Sequence, residues 1–364
     1  MTGFDYRERL ARARRAMADR SVDVLLLSVG SDLPYLTGYV AMPLERLTMA
    51  VIPRNGEAVL VVPELEAPRV EPLPDVFTVR PWGETEDPIA IVASLTGPAP
   101  RVMIGDHTWA VFLMALQSAL PGTTFISARP LTEALRLVKG NAEVELLRQA
   151  GGSADAVAGL LAREAFAGRS ELEMSRRVSA LLESNGTDVA GFAIVAAGPN
   201  GASPHHEAGD RTIRAGDPVV IDFGGKVKGY CSDTTRMFHV GEPTAKYREI
   251  HDVVLAAQRA GIAGVEPGAT AESVDAAARR VIDDAGYGRY FIHRTGHGIG
   301  LDGHEDPYIV AGNKQRLEPG MAFSIEPGIY LPGEFGVRIE DIVVCTADGA
   351  DRMNRAQREV IVVQ

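Results

Sequence analysis

The sequence predicts an α/β protein of two domains, the second built from two copies of one structural unit. Its 364 residues exceed the usual size of a single domain. Helical apolar spacing and short strand-like apolar runs both recur along the chain. A turn, a buried strand and a carboxylate also occur twice in the second part. We place the junction near Lys139-Gly140-Asn141, which predicts domains over residues 1–135 and 140–364.

The first domain reads as helix, strand and hairpin. Residues 6–20 have the apolar spacing of an amphipathic helix, and residues 22–27 form the continuous apolar run of a buried strand. Residues 50–62 are typical of a β-hairpin, because Asn55-Gly56 between two apolar runs favours a tight turn. This order predicts an α/β layer.

The second domain reads as two similar halves. Helical spacing over residues 142–166 and 244–260 opens each half. A second alanine-rich helical stretch then begins after Gly168 and after Gly268. Strands follow in both halves, and we expect the helices to cover one face of a curved antiparallel sheet. Two such halves related by a pseudo-twofold axis would share one central point.

The repeat is clearest where each half brings a carboxylate to the end of a strand. In the first half, Gly216 ends a turn and Asp222 follows six residues later, after the apolar run 218–221. In the second half, Gly320 leads in the same way to Glu326. A further acid follows each of them. We therefore expect four carboxylates to meet at the symmetry axis.

Four carboxylates with one histidine between them predict a pair of divalent metal ions. Burying the acids without positive charge would cost several kilocalories per mole each, and the acids would repel one another. An oxygen-rich set with one imidazole favours manganese, with cobalt and zinc as alternatives. The predicted ligands are Asp222, Asp233, His297, Glu326 and Glu340.

The candidate ligands lie within five motifs: Val220-Ile-Asp222-Phe-Gly224, Ser232-Asp233-Thr-Thr-Arg236, His293-Arg-Thr-Gly-His297-Gly-Ile-Gly-Leu-Asp-Gly-His304-Glu305, Ser324-Ile-Glu326-Pro-Gly328 and Val337-Arg338-Ile-Glu340-Asp341. With these motifs the chain resembles the pita-bread metallopeptidases, which include Xaa-Pro dipeptidase (prolidase), aminopeptidase P and methionine aminopeptidase. The resemblance implies a creatinase-like α/β N-terminal domain and a pita-bread α+β domain with a pseudo-twofold repeat. Residues 31–39 are the most recognisable segment of the N-terminal domain.

The resemblance also implies roles for individual residues. Glu326 would move a proton while it holds metal, and His293 and His304 would contact the substrate or the tetrahedral intermediate. The family's substrate-facing histidine precedes the first aspartate ligand by seventeen residues, which selects His205 and leaves His206 as the alternative.

Arg338 is predicted to lie beside the metal centre. It is two residues from Glu340, so the two side chains would project from the same face of a strand. We expect it to contact substrate. A purely structural salt bridge is the alternative.

The family resemblance implies hydrolysis of the Xaa-Pro bond in proline-containing dipeptides. One alternative is an aminopeptidase P that acts on longer peptides, and another is a non-catalytic binding protein on the same fold. A methionine aminopeptidase is a third, against which the N-terminal domain argues. The N-terminal domain is implied to help form a homodimer and to restrict access to the site.

Net charge and cysteine content limit the classes of binding partner and the cellular compartment that we expect. A net charge of −11 disfavours nucleic acid and anionic membranes as partners. The chain offers no apolar stretch typical of a signal peptide or long enough to span a bilayer. Two cysteines, Cys231 and Cys345, fit reduced thiols better than a disulfide, which predicts a cytoplasmic protein.

Overall fold

The computed structural model describes residues 3–364 and divides the chain into two compact units. The first unit ends at Arg136, and the second spans Leu137–Gln364.

The first unit is a six-stranded mixed sheet with helices on its faces. Its strand order is β4-β3-β2-β1-β5-β6, with parallel pairs at both edges and antiparallel pairs around β2. An apolar core joins the sheet to α3 and α4. The elements are α1 (Tyr6–Asp19), β1 (Val24–Leu27), α2 (Asp32–Thr37), β2 (Met49–Pro53), β3 (Val59–Pro63), β4 (Thr78–Trp82), α3 (Pro88–Thr96), β5 (Arg101–Ile104), α4 (Ala110–Ala119), β6 (Thr124–Ser127) and α5 (Arg129–Arg136).

The predicted hairpin is present, but the prediction of a tight turn at Asn55-Gly56 is wrong. The antiparallel pair runs from Met49 opposite Val61 to Val51 opposite Val59, which leaves a longer connection. Only Gly56 of the two turn residues has a positive φ, 111°. A type I′ turn needs positive φ at both central residues.

The second unit repeats the order helix, helix, strands, as predicted. Its first helix ends at Leu161 rather than at the predicted Phe166. The elements are α6 (Asn141–Leu161), α7 (Glu171–Ser184), β7 (Val189–Ala197), β8 (Pro218–Val227), β9 (Tyr230–Cys231), β10 (Thr234–Val240), α8 (Ala245–Ala263), α9 (Ala271–Asp284), β11 (Gly296–Gly298), β12 (Glu305–Ile309), β13 (Ala322–Ile325), β14 (Gly328–Leu331), β15 (Phe335–Arg338), β16 (Asp341–Thr346), β17 (Gly349–Arg352) and β18 (Ile361–Val363).

Backbone hydrogen bonds confirm the pseudo-twofold repeat. In the first half, the Gly168 amide donates to Ile213 O at 3.0 Å. In the second half, the Gly268 amide donates to Leu317 O at 2.8 Å. Each bond ties the start of the second helix to the turn that precedes the carboxylate-bearing strand. The two halves therefore share a local geometry as well as an order of elements.

Hydrogen bonding divides the expected curved sheet into two five-stranded sheets, one in each half. The first has the order β18-β10-β8-β7 with β9 paired to β8, and the second β12-β11-β13-β16-β17. β14 and β15 form a separate antiparallel pair. One apolar core lies under α6 and α7, and another lies under α9.

Glu326 directly follows β13, as predicted, whereas Asp222 lies inside β8 and not at its end. β8 continues because its glycines allow close packing: a Cβ on Gly224 would lie 2.0 Å from the Ser232 carbonyl oxygen. Gly224 and Gly225, which follow Asp222, are thus part of the strand.

Among residues 3–364, we find no helix long and apolar enough to cross a bilayer. The two cysteines are buried free thiols.

Candidate metal centre

The five predicted ligand residues come together in the second unit from separate elements. Asp222 lies in β8, His297 in β11 and Glu326 just after β13, while Asp233 and Glu340 each directly precede a strand. Their ligand atoms form overlapping groups in which all atoms lie within 4.8 Å of one another. The groups are Asp222 with Asp233 and Glu340, His297 with Glu326 and Glu340, and Asp233 with His297 and His304.

In two of the carboxylates, one oxygen is hydrogen-bonded to the protein and the other could bind a metal ion. Asp222 Oδ2 accepts from Arg338 at 2.6 Å, and Glu340 Oε2 accepts from Thr235 Oγ1 at 2.7 Å. Asp222 Oδ1 and Glu340 Oε1 are buried and have no hydrogen-bond partner among the described residues. A buried carboxylate oxygen without a partner is costly, and a divalent cation would remove that cost. The donor set therefore fits the predicted metal ions.

The acids disturb one another's titration. Burial, followed by the charges of Glu340 and Asp222, raises the pKa of Asp233 well above its usual range. Burial and the charge of Glu326 do the same to the pKa of Glu340. Burial raises the pKa of Glu326 to about 7, although Arg338 opposes the shift. Positive charge at the centre would stabilise the ionised forms.

His297 presents its Nε2 lone pair to the acids. Its Nδ1 donates to Gly298 O at 3.1 Å, so Nε2 carries no hydrogen in the neutral ring. Nε2 lies 3.4 Å from Glu326 Oε1 and 3.6 Å from Asp233 Oδ2. Burial lowers the pKa of His297, which keeps the ring neutral. This tautomer is the one that a metal ligand requires.

Arg338 is a buried guanidinium shared by three neighbours. It donates to Asp222 at 2.6 Å, to Thr235 Oγ1 at 3.0 Å and to the Tyr330 hydroxyl at 2.9 Å. Thr235 in turn donates to Glu340, so the guanidinium orients two predicted ligands, one directly and one through a hydroxyl. The structure thus places Arg338 beside the carboxylates, where its charge opposes their repulsion.

Sequence reasoning missed Tyr330. Its hydroxyl receives a hydrogen bond from Arg338 and donates to His293 Nε2 at 2.8 Å, because His293 Nδ1 is used as a donor to Arg294 O. Gly328 was the available signal, since a Cβ there would lie 2.6 Å from the Tyr330 hydroxyl. Both His293 nitrogens have protein partners, and its contact with substrate stays a prediction.

Ser324 and Asp275 were also missed, and they hold the ligand-bearing segments. Ser324 Oγ donates to Glu326 Oε1 at 3.0 Å and accepts from the His297 amide at 3.0 Å. Asp275, on α9, accepts from the Thr295 amide at 3.2 Å and from its hydroxyl at 2.7 Å. The side chains around the centre are thereby fixed by hydrogen bonds that no local pattern shows.

The remaining histidines lie at the edge of the centre. His304 is exposed at one side, but its ring stacks on His297 with centroids 3.8 Å apart, and partial burial of the imidazole lowers its pKa to about 4. His205 is exposed, and the segment before it packs against β15, where a Cβ on Gly336 would lie 2.0 Å from Gly201 O. His206 Nε2 lies 2.8 Å from Glu171 Oε2.

The raised carboxyl pKa values predict how pH affects the metal-free protein. Acids whose pKa rises on folding contribute stability that is complete below the unfolded value of about 4 and is lost as pH rises through the folded value. We expect the Asp233→Asn variant to gain melting temperature relative to wild type as pH rises from 5 to 8, after chelation of metal. Added Mn²⁺ should stabilise the wild type more at pH 8 than at pH 5, since protonated ligands compete. A difference between the two proteins that does not change with pH would contradict this account.

Comparison with known proteins agrees with this geometry. Residues 145–347 match metallopeptidase family M24, and residues 9–138 match the creatinase/prolidase N-terminal domain. A probable dipeptidase PepE from Mycobacterium tuberculosis is 43% identical over 98% of this chain and 96% of its own. An Xaa-Pro dipeptidase from Lactobacillus helveticus is 35% identical over 97% and 98%. The crystal structure of a prolidase from Thermococcus sibiricus superposes with a TM-score of 0.95 at 36% identity, covering 99% of this chain and 100% of that one.

Proposed function

The chain belongs to metallopeptidase family M24, and on that premise we propose that it is a dinuclear metallopeptidase that hydrolyses the Xaa-Pro bond of dipeptides. The observation that carries the metal-dependent part of the proposal is the pair of buried carboxylate oxygens on Asp222 and Glu340 that have no hydrogen-bond partner among the described residues, together with the Nε2 lone pair of His297 near Glu340.

Each residue at the metal centre has its own proposed role in the reaction. Two divalent ions bound there would lower the pKa of a water molecule and polarise the scissile carbonyl. Glu326 lies at the centre with His297 and Glu340, where its carboxylate can accept a proton and pass it to the leaving nitrogen of proline. Arg338 orients the Asp222 carboxylate directly and the Glu340 carboxylate through Thr235, and Tyr330 is hydrogen-bonded to Arg338. His304, neutral and exposed beside His297, can donate a hydrogen bond to the developing oxyanion.

We propose that His205 contacts the peptide. It is exposed, and the segment before it packs beside the strand that bears Arg338. Arg338 is buried and donates to Asp222, so we assign it to orienting the ligands. Its contact with substrate stays a prediction.

The finer assignments follow from the same donor set and from composition. We propose manganese as the working ion, because four carboxylates and one imidazole form a mostly hard, oxygen-rich set. A cytoplasmic location is supported by the two buried free thiols. The homodimer stays a prediction, to be measured by light scattering.

The proposed specificity is tested with three peptides. Chelator-stripped protein, reloaded with Mn²⁺, is assayed on Ala-Pro, Ala-Pro-Ala and Ala-Ala. We expect the highest kcat/KM on Ala-Pro. A preference for Ala-Pro-Ala would instead identify an aminopeptidase that acts on longer peptides, and equal rates on Ala-Ala would remove the proline specificity. Cleavage of none would support the binding-protein alternative.

Removal of the His304 imidazole tests the oxyanion contact. We expect His304→Ala to lower kcat on Ala-Pro roughly 10²-fold, a typical effect of losing one donor to an oxyanion. Bound metal should remain near the wild-type amount, because the five predicted ligands are untouched. Loss of metal in this variant would instead make His304 a ligand, in the group that it forms with Asp233 and His297. Unchanged kinetics would remove it from the mechanism.

A further inference from the structure

Glu171 is a fully buried carboxylate outside the proposed metal centre. It is the first residue of α7, and its side chain has 0% relative exposure. It accepts hydrogen bonds from the Ala197 amide at 2.8 Å, from Asn200 Nδ2 at 3.0 and 3.1 Å, and from His206 Nε2 at 2.8 Å. These donors all belong to the end of β7 and the segment that follows it, residues 198–209, which we call the histidine loop.

The pairing fixes the state of His206. Both carboxylate oxygens of Glu171 accept hydrogen bonds from amide groups, so we assign His206 Nε2 as the donor in its bond to Glu171. Removing the imidazole would leave the buried carboxylate with fewer donors. The ring of His206 is therefore held inward by the fold, onto the start of α7.

The neighbouring His205 is exposed. The segment before it packs beside β15, the strand that bears Arg338, since a Cβ on Gly336 would lie 2.0 Å from Gly201 O. The histidine loop thus bears two adjacent imidazoles in different settings. One is bound to a buried acid and the other is exposed.

The second half of the unit also has a buried carboxylate that accepts hydrogen bonds from a histidine-bearing segment, but at a different position. Asp275, on α9, is buried and holds the backbone and hydroxyl of Thr295, which lies between His293 and His297. The residue that corresponds to Glu171 in the repeat is Ala271, as the matching amide bonds to Arg211 O and Gln315 O show. The repeat itself therefore does not require an acid at either position. Each half carries its own buried carboxylate against the segment that supplies histidines.

We propose that Glu171 and His206 are positioning residues that anchor the histidine loop so that His205 contacts the peptide. The inference rests on the proposed function, in which His205 faces substrate. It assigns His206 to the anchor rather than to the substrate.

A double-mutant cycle tests whether His206 acts through its neighbour. We expect His206→Ala to raise KM for Ala-Pro roughly tenfold with a smaller change in kcat, as for a contact that positions a binding group. His206→Gln should recover most of the loss, since its amide nitrogen can donate to Glu171. In a His205→Ala background, His206→Ala should have no further effect. Independent, additive effects of the two substitutions would overturn the proposal.

Amide hydrogen exchange of residues 197–209 provides a readout that does not depend on turnover. We expect faster exchange in this segment for His206→Ala, in the Mn²⁺-loaded protein, and wild-type exchange for His205→Ala. Wild-type protection of the loop in His206→Ala would overturn the anchor. If the wild type released no proline, the proposed function would fail, and exchange would still decide on the anchor.

Discussion

Glu326→Gln is expected to lower kcat on Ala-Pro by roughly 10²- to 10⁴-fold at neutral pH, the range attributed to a positioned acid or base. Glu326 lies at the centre, with its Oε1 3.4 Å from His297 Nε2, where its carboxylate can take up a proton and release it in one cycle. A glutamine has the same shape but can do neither. It is also a weaker ligand, so bound metal should fall as well. Measurement of kcat at saturating Mn²⁺, with metal content on the same sample, separates the two effects.

Glu318→Gln is the matched control for this substitution. Glu318 is an exposed acid that precedes the carboxylate-bearing strand β13. We expect kcat of the Glu318→Gln variant to equal that of the wild type. Near-normal turnover in Glu326→Gln at full metal occupancy would exclude Glu326 from proton transfer.

Arg338→Met is the second substitution with a large expected effect. It removes three hydrogen bonds and leaves the Asp222 carboxylate buried without its cation. Breaking a buried pair by removing one partner costs about 3–5 kcal/mol. We expect the free energy of unfolding of the metal-free protein, measured in urea, to fall by that amount. In the metal-loaded protein, kcat/KM should fall more than tenfold, since Asp222 and Thr235 lose the group that orients them.

Arg248→Met supplies the comparison for Arg338. Arg248 lies 2.6 Å from Glu242, and both side chains are exposed, at 49% and 83%. Loss of such a surface pair costs about 0–1 kcal/mol. Equal destabilisation by the two substitutions would contradict the charge-balancing role of Arg338.

The order of the fold could be predicted because its evidence is local. A turn, an apolar strand and an acid recur around Asp222 and Glu326, and each copy can be recognised without knowledge of the other. Symmetry then brings both acids to one place. The helix limits were close for the same reason: the predicted start of α8 at Thr244 is the residue that caps it, through a bond from the Tyr247 amide.

The partners of the site residues could not be predicted, because they are distant in sequence and follow no period. His206 and Glu171 are separated by 35 positions, and Arg338 lies 116 positions from Asp222. The extent of β8 depended on a backbone approach between Gly224 and Ser232 that only the folded chain shows. Sequence therefore indicated which residues would meet, and the structure added what orients them.

The most direct test of the dinuclear peptidase account is a Mn²⁺ titration of chelator-stripped protein, in which proline release from Ala-Pro and bound metal are measured on the same samples. We predict no release without metal and a rate that reaches its maximum at two ions per chain. Release that persists in the stripped protein, or full occupancy by metal without any release, would contradict the account.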